Sequence, residues 1–150
     1  MYPLLARAIL ERARLAGRPG DPRALKAART PVKRGLRQAR RYRNYRSPAL
    51  LAQGLLLWGR GDRERARTRF SESIEAAREM DAKLMLAEAY YEAGRCLLDD
   101  EAVRELATSH LETALMLARE CNLRPYEGRI RGLLGTESLD TATRSQILHL

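Results

Sequence analysis

The side chains able to do chemistry are few and widely spaced. Cys96 and Cys121 are the two cysteines, His110 and His149 the two histidines, and Asp99-Asp100-Glu101 the one run of three carboxylates. A nucleophilic cysteine needs a base beside it, and a metal needs several ligands converging on one point. The two cysteines form no CxxC pattern, and no histidine is close to either in sequence. Both fit better as small core hydrophobes, and His110, beside Leu111, as a packed helix position. Three consecutive acids point in different directions around a helix, so they suit a helix start, where they complement the positive end of its dipole. No GxxxxGK[ST] loop or GxGxxG turn is present, and Gly17 and Gly20 bracket Arg18-Pro19 as a plain turn. The expectation is a protein with no catalytic site, no metal and no cofactor.

Arginine carries the remaining chemistry. The 150 residues hold 28 Lys+Arg and 19 Asp+Glu, a formal net charge of +9. Ten of those bases fall between Arg23 and Arg46 with no acid among them; the rest of the chain has 18 basic and 19 acidic residues. Lys33, Arg34, Arg37, Arg40, Arg41 and Arg43 are the candidate basic patch. Guanidinium forks fit phosphates, and Tyr42 and Tyr45 could stack on bases, so one expectation is salt-sensitive nucleic-acid binding through residues 23–46. The other is a solvated or partner-facing helix whose Leu25, Val32, Leu36 and Ala39 side packs on the body of the protein.

The elements that must hold these side chains all read as helices. Leu4–Leu15 is apolar-periodic and ends at Gly17-Arg-Pro-Gly-Asp-Pro22. A second helix starts near Pro22, and Pro31 predicts a break or kink, with helix resuming to about Arg43. Ser47-Pro48 predicts a cap and a helix over Ala49–Arg60. Gly61-Asp62 opens a helix over Arg63–Met80, and Asp81 is expected to cap the next, Ala82–Leu98. A further helix follows Asp99-Asp100 to about Cys121, another spans Tyr126–Gly135, and a short capping helix or tail covers 136–150. No strand is needed. No apolar run reaches the roughly 20 residues of a bilayer span, and Arg7, Glu11, Arg12 and Arg14 break up the N-terminal stretch, so no signal peptide is expected. A soluble cytoplasmic protein is expected.

The chain also repeats itself. Ala66, Phe70, Ser73 and Ile74 recur 41 residues on as Ala107, Leu111, Ala114 and Leu115, and Gly54 recurs 40 on as Gly94. Gly54, Gly61, Asp62, Ala66 and Phe70 stand in a pattern that resembles the tetratricopeptide repeat (TPR), with Ser73 for the usual second alanine and Leu50 for the usual early aromatic. Met80-Asp81 stands where that repeat ends in proline, and the period is near 40, not about 34. The stretch from Arg40 to Leu97 is similar to the C-terminal TPR region of large bacterial signalling proteins, which join an AAA-like ATPase to an adenylate cyclase or a serine/threonine kinase.

That resemblance implies an all-α fold of antiparallel helix pairs stacked as a short right-handed TPR-like solenoid. Residues 1–46 would be an N-terminal cap, 47–81 and 82–122 full repeats, 123–135 a partial one and 136–150 a C-terminal cap. It implies a non-enzymatic interaction module in a signalling or regulatory protein, binding a peptide, a helix or a neighbouring domain of a parent protein. In the TPR register the groove is lined by Leu51, Leu55 and Trp58 from the first repeat and Glu88, Tyr91, Arg95 and Leu98 from the second. Uncapped ends would favour self-association into a homo-oligomer.

Overall fold

Every element of the described residues, 1–135 in this computed structural model, is helical. The order is α1 (Tyr2–Leu15), α2 (Pro22–Arg41), a 3-10 turn (Arg43–Tyr45), α3 (Arg46–Gly59), α4 (Arg63–Glu79), α5 (Lys83–Leu97), a 3-10 turn (Glu101–Val103), α6 (Arg104–Glu120) and α7 (124–135). The expected element over 136–150 lies outside the described residues. No helix among those described is long and apolar enough to cross a membrane.

Four helix ends share one device. After α1, α3, α4 and α6 the chain turns through a residue with positive φ: Gly17, Gly61, Asp81 and Asn122. In each, that residue's N–H and the next one's reach back to carbonyls of the last turn, as Gly61 to Trp58 and Asp62 to Leu57 do. This is the Schellman closure, which satisfies the orphan carbonyls and reverses the chain within a few residues. It also corrects one expectation. Asp81 does not cap α5, whose N-cap is Ala82 with no side-chain bond; its φ of 49° makes it the left-handed residue ending α4. Asp62, as expected, caps α4 by accepting from the Arg65 N–H, and Asp100 accepts from that of Ala102.

Two more expectations need correction. Helix α2 is continuous through Pro31, so of the expected break or kink the break does not occur. The carbonyl that proline leaves without a partner is that of Ala27, an exposed residue open to water, while Pro31 is buried with Ala28 and Val32. Packing outweighs the lost hydrogen bond. Ser47 lies inside α3, not at its cap. It is buried, and its carbonyl accepts from the Ser73 hydroxyl at 2.8 Å while the two hydroxyls sit 3.2 Å apart. By the repeat's own offsets, Ser47 and Ser73 correspond to Ala87 and Ala114: the polar pair is present or absent as a pair, because one buried hydroxyl alone would lack a partner.

Each helix packs on its sequence neighbour from α1 to α6, and α3 also touches α1 and α5. The pairs α3–α4 and α5–α6 approach closely at glycine. A Cβ built on Gly54 would lie 2.7 Å from the Phe70 ring, and one on Gly94 would lie 2.8 Å from Leu111 Cγ. The recurrence of Gly54 and Phe70 as Gly94 and Leu111 is therefore one packing unit used twice: a bare backbone in one helix, filled by a large side chain from the next.

Candidate binding cavity

Four helices share one open concavity. A cavity of about 350 Å³ is lined from α1, α3, α5 and α7, with Pro19 of the α1–α2 loop and nothing from α2, α4 or α6. Of the seven groove residues read from the repeat register, it brings together Leu55, Trp58, Glu88, Tyr91 and Arg95. Leu51 does not line it; at 1% exposure it belongs to the core with Phe70 and Ile74. Leu98 packs instead against the cluster of Leu111, Ala114 and Ile130.

The floor is an ion-pair network between distant parts of the chain. Arg7 of α1 donates to Glu88 at 3.1 Å and to Glu92 at 3.4 Å, both on α5. Glu92 also accepts from Arg95 at 2.6 Å, and Arg14 holds Glu11 by two bonds of 2.9 and 2.6 Å. Burial alone would lower the Arg7 pKa, but the fields of Glu92 and Glu88 outweigh it and raise it. Arg95 is likewise raised, burial being opposed chiefly by Glu92. The bond from Arg14 holds the Glu11 carboxyl below the usual carboxylate range. All three arginines and Glu11 are charged at neutral pH. Arg129 of α7 is the exception among the cavity's arginines: it lies over the Tyr126 ring at 5.8 Å with no carboxylate within 4 Å among the described residues.

Aromatic rings complete the walls. Trp58 has the Arg63 guanidinium 4.8 Å over its ring and Phe70 at 6.3 Å behind it. Tyr91 meets Tyr126 edge-on at 5.2 Å, and burial raises both phenols above their ordinary pKa. Tyr91 is only 5% exposed, so it shapes the cavity more than it offers contact.

The register of the repeat did not single out Arg7, Glu11, Arg14, Glu92, Tyr126 or Arg129. A signal for most of them is present. Arg7, Glu11 and Arg14 on α1 and Glu88, Glu92 and Arg95 on α5 recur at i, i+4, i+7, one stripe on each helix.

The nucleophile and base candidates are dispersed. Cys96 is buried in the core beside Ala93 and Phe70, and burial pushes its thiol up to about 12. His110 stacks edge-on to Tyr90 at 5.2 Å, and burial lowers its pKa. No group of three metal-ligating side chains occurs among the described residues. Cys121 is half-buried where Cys96 is buried, so it is the more accessible thiol. A disulfide reagent at neutral pH should label one cysteine of the native protein quickly and two after denaturation, and Cys121→Ser should remove the fast phase.

The six basic-patch residues lie elsewhere. Lys33, Arg34, Arg37, Arg40 and Arg41 are exposed on α2 and Arg43 on the turn after it, none lining the cavity. Comparison with known proteins gives no match to any family model, curated protein or solved structure.

Proposed function

We propose that the chain is a non-catalytic adaptor of TPR-like, right-handed solenoid form that holds a peptide or helical segment of a partner protein in the cavity between α1, α3, α5 and α7. The observation carrying this reading is convergence: five residues chosen from the repeat register meet in one open cavity lined by the odd-numbered helices and Pro19. Its volume sits at the low end for binding pockets, which suits one or two anchoring side chains of a larger partner. Trp58, Tyr126, Arg95 and Arg129 are of the types that dominate binding energy at interfaces. With its other arginines already paired, Arg129 favours a segment carrying an acid beside its apolar anchor. The likeness of residues 40–97 to the C-terminal TPR region of bacterial signalling proteins favours a place in a regulatory assembly.

Ala8 lines the cavity and is exposed, so Ala8→Tyr fills the space without removing a core contact. A displayed random-peptide library selected on the wild-type chain should yield sequences retained at least about tenfold better than on Ala8→Tyr. Equal retention by both would overturn the assignment of the cavity.

A further inference from the structure

We propose that the outer face of α2 is a nucleic-acid-binding ridge that grips the sugar-phosphate backbone. All ten basic residues from Arg23 to Arg46 are exposed, and eight lie on α2. At about 100° per residue, Lys26, Arg29, Lys33, Arg37 and Arg40 fall within roughly 80° of arc, with Arg23, Arg34 and Arg41 along one flank. The ridge runs about 27 Å, on the order of eight phosphate steps of one DNA strand. Among the ten, only Arg43 has a carboxylate partner in the described residues, Glu79 at 3.6 Å. Like charges three and four residues apart destabilise a helix, and here no acid relieves them.

The rest of the helix narrows the partner. Ala28 and Val32 are buried against Ala6, Ala52 and Leu56, with Leu25 and Leu36 packed alongside. The apolar side of α2 is thus consumed by the fold and cannot enter a bilayer, as a membrane-surface helix must. Its charged arc carries no large apolar side chain of the kind that anchors a protein partner. A phosphodiester chain needs neither, only repeated positive charge. The arc offers no amide for adenine and no carboxylate for cytosine; the one amide on α2, Gln38, is half-buried with its Oε1 enclosed and unpartnered.

The test uses the full chain, two labelled duplexes of unrelated sequence and vesicles rich in phosphatidylserine, followed by anisotropy or co-sedimentation over a range of salt. Five phosphates neutralised by the central stripe predict that log K falls against log salt with a slope of about −4.5, equal for both duplexes. Arg37→Gln with Arg40→Gln should make that slope shallower by about two, while Arg12→Gln, exposed on α1, leaves it unchanged. Circular dichroism checks that the variants fold; exposed positions leave the core intact. No duplex binding at low salt overturns the proposal. So do a slope indifferent to the ridge variants, and binding to vesicles with none to duplex.

Discussion

Phe70→Ala will cost about 3–5 kcal/mol, a large part of the stability of any single domain. Phe70 is 2% exposed and fills the space that Gly54 leaves on α3, with Ala66 and Trp58 around it. Truncation opens a void that a glycine backbone cannot close, so the lost contacts stay lost. A urea titration should show a lower midpoint with an unchanged slope. The converse change fails for the opposite reason. Gly54→Ala gains about 1 kcal/mol of helix propensity but sets a methyl 2.7 Å from an immobile ring, and overpacking of that kind costs about 1–3 kcal/mol. The second unit carries the same constraint, a Cβ on Gly94 lying 2.8 Å from Leu111 Cγ. The void left by Phe70→Ala would accept the new methyl, so Phe70→Ala with Gly54→Ala should cost less than the two single changes added, a coupling energy of opposite sign to the single effects.

Arg7→Met will cost about 2 kcal/mol, between the roughly 0–1 of an exposed pair and the 3–5 of a buried one. The three side chains are 13%, 24% and 11% exposed for Arg7, Glu88 and Glu92. Removing the guanidinium leaves Glu88 without its partner across the cavity floor, whereas Glu92 keeps Arg95. Most of the loss should therefore return in Arg7→Met with Glu88→Gln, which no longer strands a carboxylate. A full cycle of thermal or urea melts measures the coupling. An Arg7→Met loss undiminished by Glu88→Gln would mean that Arg7 acts through its bond to Glu92 or its packing and not through Glu88.

The sequence made the helices and the repeated packing unit legible because both are local or periodic. Gly54 and Phe70 sit 16 residues apart and Gly94 and Leu111 sit 17 apart, spans that one helix pair covers. Capping was less legible. Asp81 and Ser47 are types that cap helices, yet Asp also tolerates left-handed backbone, and Ser47 has a buried partner 26 residues away. Pro31 reads as a break by local rules, and only its burial shows why the helix continues. The cavity was half legible. A register places Leu55, Trp58 and Arg95 on one side of their helices, but nothing local says that Arg7 will meet Glu88 and Glu92 more than 80 residues on.

Trp58 is the chain's one tryptophan and lines the cavity, so its emission reports occupancy directly. Titrating a selected peptide into the wild-type chain and into Ala8→Tyr tests whether the cavity between the odd-numbered helices is where a partner binds. The prediction is a saturable change in Trp58 emission for wild type, with affinity at least about tenfold weaker in Ala8→Tyr at equal thermal stability. Binding that leaves Trp58 emission unchanged, or that is equally tight in Ala8→Tyr, would contradict it.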